Sequence, residues 1–105
     1  MGKSSQRKGA DGERELARIF GAHGYAARRG GGMYGSSPDV VGLPGIHCEV
    51  KRVEALNVSK AMAQSIRDAP EDETPVLFHR KNREPWLVTM RLSDWLPLYS
   101  LSAEK

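Results

Sequence analysis

Apolar and polar residues alternate along this chain in two periods, and the switches between them mark its elements. Ala10, Leu16, Ala17 and Phe20 recur at helical spacing with Glu13 on the same stripe, while Glu15 and Arg18 fall on the opposite, wet face; a helix from about Gly9 to Gly21 or Gly24 is predicted. Tyr25 to Arg29 reads as a short strand. Val40 to Leu43 and Ile46 to Val50 are apolar runs joined through Pro44-Gly45, a turn pair, and predict a β-hairpin. Asn57 or Ser59 can cap a second helix reaching about Ala69, with Val58, Met62 and Ile66 as its buried line. Val76 to His79 and Trp86 to Met90 read as two further strands, and Ser93-Asp94-Trp95-Leu96 opens a final helix whose Trp95 and Leu98 would cover a sheet face. The order α-β-β-β-α-β-β-α defines an α/β fold, a mixed sheet flanked by helices.

Length confines this pattern to one domain. The chain has 105 residues; residues 9–101 form the predicted domain, residues 1–8 a flexible basic arm and residues 102–105 a frayed end. Hydrophobic residues are 39% and charged residues 28%, and no apolar run approaches the ~20 residues that span a bilayer. The basic, polar start lacks the apolar run of a secretory signal, and a single cysteine, Cys48, forms no internal disulfide. These features fit a cytoplasmic protein.

Charge changes the picture more than composition does. The net charge of +3 is unevenly placed: residues 1–52 carry nine Lys/Arg against five Asp/Glu, residues 53–105 seven against eight. A polyanionic partner near the first half is one explanation and ordinary surface variation the other. Within that half, Arg28 and Arg29 precede a glycine-rich loop, residues 30–37. The spacing of Gly30, Gly32 and Gly35 matches a dinucleotide fingerprint, but Ser-Ser-Pro-Asp and a strand follow where a helix is required, so that match is rejected. The loop is either a plain connector or a wrap for a phosphate backbone, with Ser36 and Ser37 as neutral donors.

The candidate chemistry lies on the hairpin. Asp39 opens its first strand, and Glu49 and Lys51, two apart on the second, share a face. Two carboxylates and an ammonium converging there suit Mg²⁺ or Mn²⁺ with an oxygen-rich substrate, the Val50 carbonyl being a further possible ligand. Lys51 cannot bind metal while charged and is suited to orienting water or offsetting phosphate charge. Glu13 is either a first-turn acidic residue or a carboxylate packed over this sheet as an additional ligand. His47 shares the parity of Glu49; Cys48 has the opposite parity and reads as core, and Arg52 points to that opposite face as well. His23, His47 and His79 are scattered, no zinc-ligand spacing is present, and no nucleophile sits in an elbow motif.

Pro38-Asp39 followed by Glu49-Val50-Lys51 resembles the PD-(D/E)xK nuclease motif. With Lys8-Gly9, Gly12-Glu13-Arg14-Glu15-Leu16, Gly24-Tyr25-Ala26-Ala27-Arg28 and Ser36-Ser37-Pro38-Asp39, the chain from about residue 8 to 90 resembles the archaeal-type Holliday junction resolvases and their phage relatives. The resemblance implies a restriction-endonuclease-like fold and a homodimer that cuts paired strands of a four-way DNA junction with Mg²⁺, for which Mn²⁺ can substitute. If phage-encoded, such a protein would act in the host cytoplasm. Asp39 and Glu49 match the metal-binding carboxylates, Lys51 the catalytic lysine, Glu13 the glutamate of the first helix, and Arg14 and Arg28 basic residues used on DNA. Lys8, Arg29, Ser36 and Ser37 complete the expected DNA contacts. The three successive glycines, Gly30 to Gly32, depart from the family pattern. A related nuclease acting on flaps, nicks or duplex, and a non-catalytic nucleic-acid-binding or inhibitor protein on the same scaffold, are the alternatives.

Overall fold

The computed structural model describes residues 2–31 and 38–103, with side chains from Gly9 onward. Its elements are α1 (Gly2–Ala22), β1 (Arg28–Arg29), β2 (Val40–Val41), β3 (Ile46–Arg52), α2 (Val58–Asp68), β4 (Thr74–Arg80), β5 (Leu87–Thr89) and α3 (Leu92–Ala103). Among the described residues the strands form one mixed sheet in the order β1-β2-β3-β4-β5; β3 and β4 run parallel and the other neighbours antiparallel. A parallel pair needs a long crossover, and α2 supplies it. The predicted order of elements is the observed one.

The core divides at the sheet. On one face, Leu16 and Ala17 of α1, with Phe20 beside them, pack on Val40, Cys48, Val50, Val76 and Phe78. Phe20 meets Phe78 edge-on, with ring centroids 5.3 Å apart. On the other face, Ala61 and Met62 of α2 cover Leu77. Covered on both sides, β3 and β4 carry an unbroken run of buried residues at their centres.

The predicted hairpin forms around Pro44-Gly45. Ile46 N donates to Leu43 O at 3.1 Å and Gly45 has φ +79°, a turn with proline at its first central position and a left-handed residue at its second. Gly45 O then accepts from Thr74 N at 2.8 Å, tying the hairpin tip to the start of β4.

The first helix begins at Gly2, ahead of the predicted start near Gly9, so Glu13 lies well inside it. Three expectations need correction. Glu15 is not on a wet face, because it accepts from Trp86 Nε1 at 2.7 Å and pairs with Arg80 Nε at 2.9 Å. The buried line of α2 is Ala61, Met62 and Ser65, positions i, i+1 and i+4 of one helix face, with Val58 and Ile66 exposed. Finally, α3 forms but buries none of its residues, leaving Trp95 and Leu98 exposed rather than covering the sheet. Among the described residues no helix is long and apolar enough to cross a membrane.

Candidate metal and nucleic-acid site

Asp39 is fixed to β3 twice. Its amide donates to Cys48 O at 2.9 Å, and its carboxylate Oδ2 accepts from Val50 N, also at 2.9 Å. Alternate residues of a strand turn their N–H and C=O to the same side, so Cys48 and Val50 both face β2. The pairing of β2 ends before Val50, which leaves the Val50 carbonyl aimed at the space beside the Asp39 side chain. Gly30 makes this approach possible: its amide donates to Asp39 O at 2.8 Å, and a Cβ there would stand 1.9 Å from Pro38 O.

Strand alternation sets the next group. Cys48 and Val50 enter the α1 core, so His47, Glu49 and Lys51 face α2. Glu49 is buried, and Lys51 Nζ lies 3.7 Å from its Oε2. Burial, and then the neighbouring Asp39 charge, push the Glu49 carboxyl up to about 7; Lys51 opposes that rise and Asp68, at the end of α2, adds to it. Burial also raises Asp39, against the hydrogen bond from Val50, with Glu13 adding to the rise and Lys51 and His47 opposing it. A buried Glu49 and a partly buried Asp39 with one half-buried lysine are therefore short of positive charge.

That deficit is what a divalent cation offsets. Asp39, Glu49 and the Val50 carbonyl are hard oxygen donors, and three protein oxygens with the remaining positions left to water suit Mg²⁺. Glu13 takes another partner: Arg29 Nε donates to its Oε1 at 2.9 Å. Among the described residues no three His, Cys, Asp or Glu side chains converge closely enough to hold a metal.

The expected DNA contacts scatter more widely. Arg28 pairs with Val41 and is exposed on the face of the carboxylates, whereas Arg29 pairs with Val40 and turns to Glu13. Arg14 is exposed and pairs with Asp11 at 3.1 Å. Lys8 belongs to α1 but its side chain, together with Ser36 and Ser37, lies outside the described residues.

Strand parity already set His47 beside Glu49, but the acidic groups Glu73 and Asp68 nearby carry no signal in the local sequence. His47 is almost fully enclosed and its Nδ1 stands 3.3 Å from Oε1 of Glu73, in the loop between α2 and β4. Asp68 reaches Glu49 only because α2 returns across the sheet. Cys48, read as core, is fully buried, and that burial pushes its thiol up to about 12, leaving it inert.

The fold is thus a mixed sheet with a helix on each face, carrying two carboxylates and a lysine beside its central hairpin. The chain belongs to the archaeal Holliday junction resolvase (Hjc) family, whose model matches residues 4–91. It is similar in fold to the Hjc of Archaeoglobus fulgidus, a Holliday junction resolvase from an archaeal hyperthermophile: TM-score 0.56, 22% identity, 79% of this chain and 72% of that one covered. No curated protein sequence matches the chain.

Proposed function

We propose that this protein is a metal-dependent, structure-selective endodeoxyribonuclease that resolves four-way DNA junctions in the cytoplasm, as a homodimer. The observation that carries the reading is Asp39, held to β3 by the Val50 amide, beside the buried Glu49 with Lys51 next to it. Mg²⁺, or Mn²⁺ in its place, would be held by Asp39, Glu49 and the Val50 carbonyl, and when bound supplies charge for the phosphoryl oxygens and lowers the pKa of a bound water. Lys51 donates hydrogen bonds from the rim of that pair, where it orients the attacking water and offsets charge on the phosphate. The attacking water gives up a proton to solvent as its oxygen bonds to phosphorus, the bond to the departing alkoxide breaks, and the alkoxide takes up a proton from solvent water. Glu13 steadies Arg29 at the edge of the site, while Arg14 and Arg28, with Lys8, Ser36 and Ser37, follow the DNA backbone.

Support for a second copy comes from α3. Leu92, Trp95, Leu96, Leu98, Tyr99 and Leu101 are each 44–67% exposed, and Trp95 stacks on Tyr99 with centroids 5.1 Å apart. Exposed apolar side chains clustered in this way mark an interaction surface. A junction also presents paired strands, and two copies related by a twofold axis present paired sites.

The test is cleavage of a synthetic four-way junction with and without Mg²⁺, beside flap, nicked and duplex controls. Preferential, metal-dependent cutting of the junction is the expected result. Preference for a flap or duplex would move the assignment to a related nuclease, and absence of both ion binding and cleavage with any divalent metal would leave a non-catalytic binding protein.

A further inference from the structure

Beside Lys51, between the end of β3 and the first turns of α2, lies a cleft of about 320 Å³. Lys51, Asn57, Lys60 and Gln64 line it over an apolar floor that includes Val53 and Leu56, and no carboxylate lines it. Lys60 and Gln64 stand one turn apart on α2 and so share a face. Asn57 caps the helix, its Oδ1 accepting from Lys60 N at 3.0 Å, which leaves its amide NH₂ as a donor. The cleft therefore has two ammonium groups and amide donors on its walls and an apolar base.

We infer that this cleft is a DNA-backbone subsite that seats the nucleotide next to the scissile phosphate, its phosphate between Lys51 and Lys60 and its deoxyribose on the apolar floor. Lys51 belongs to both the cleft and the carboxylate pair, so a strand whose cut phosphate meets Asp39 and Glu49 passes directly into it. A phosphate one nucleotide away meets positive charge from a second element, α2, and the helix that closes the sheet also sets the strand's path. Lys60 and Gln64 are thus given a role on DNA. This rests on the nuclease reading of the neighbouring pair.

The test is binding of a labelled four-way junction in metal-free buffer across a range of salt, for the unaltered protein, Lys60→Ala and Lys60→Arg. Lys60 is exposed and alanine favours helix, so the variant folds, which circular dichroism checks. Lys60→Ala is expected to weaken binding about fivefold near physiological salt and to lower the salt slope by about one per site, with Lys60→Arg restoring both. A neutral methylphosphonate placed beside the mapped cut position should weaken binding of the unaltered protein and leave Lys60→Ala almost unaffected. An unchanged affinity and slope for Lys60→Ala, or an equal methylphosphonate penalty in both proteins, overturns the subsite while junction cutting by the unaltered protein still stands. If the unaltered protein neither binds nor cuts DNA, the nuclease reading falls and the subsite with it.

Discussion

The Asp39 carboxylate is held by the backbone of Val50, not by another side chain: Oδ2 accepts the amide at 2.9 Å. The hairpin thus sets the carboxylate of one strand against the backbone of the next. An asparagine at position 39 keeps an oxygen for that bond but loses the charge. Asp39→Asn is therefore expected to bind junction DNA and to cut it at least about a hundredfold more slowly, as Lys51→Ala should also do. Cutting by either variant at the unaltered rate would remove these residues from the site.

Stability should depend on pH through Glu49. Its carboxyl is raised from 4.5 in the open chain to about 7 in the fold, so the folded state holds the proton more tightly. The contribution is fully present below about pH 4.5 and is lost as pH rises toward 7, and the raised Asp39 acts in the same direction. The metal-free protein should therefore lose on the order of 3 kcal/mol across that window. Glu49→Gln removes the ionisation and is expected to raise the metal-free Tm at pH 8 by roughly 10–20 °C relative to the unaltered protein. Thermal unfolding at pH 5 and pH 8, with and without Mg²⁺, measures this, and Mg²⁺ should restore the Tm only where Glu49 is present.

Glu15 holds together the first helix and the last two strands through Arg80 and Trp86, 65 and 71 residues away. The side chain of Arg80 is only 14% exposed, so Glu15→Ala leaves a largely enclosed guanidinium without its carboxylate. A loss of about 2 kcal/mol is expected. Denaturant unfolding reads that loss, and cleavage per folded molecule should stay within twofold of the unaltered protein.

Gly30 serves the site sterically. A methyl group there would overlap the Pro38 carbonyl, and relief of that overlap must displace the Pro38-Asp39 segment. Gly30→Ala should lower junction cutting at least about tenfold, because a shift near 1 Å at a reacting group is already costly. Its folded circular dichroism spectrum should be retained.

The apolar surface of α3 predicts the assembly. Leu96→Glu and Leu101→Glu each place a charge where a second copy would pack, and both positions are exposed enough to accept it in the monomer. Sedimentation should show a dimer for the unaltered protein and a monomer for the double variant. A monomeric unaltered protein, free and on DNA, would remove the dimer.

Local patterns carried much of this protein. The alternation around Pro44-Gly45 was enough to predict the hairpin and the shared face of Glu49 and Lys51, and the stripe of Leu16, Ala17 and Phe20 was enough to predict the helix packed over it. Such features depend on residues within a few positions of one another, where backbone periodicity alone decides direction. The resemblance to nucleases likewise rested on short motifs, and the match to the family extends over residues 4–91.

Tertiary structure decided the partners. That Glu13 answers Arg29, that Glu15 is enclosed by Arg80 and Trp86, and that His47 meets Glu73 follows from the docking of α1 and the parallel pairing of β3 with β4. Glutamates in a helical stripe look alike in sequence, and only the surface they meet distinguishes them. The same holds for Trp95 and Leu98: an apolar helix predicts that it will be covered, but the fold of one chain leaves this one bare. Sequence determined which residues could share a face; long-range packing, through burial and unscreened charge, decided which of them meet and what each carboxyl then costs to ionise.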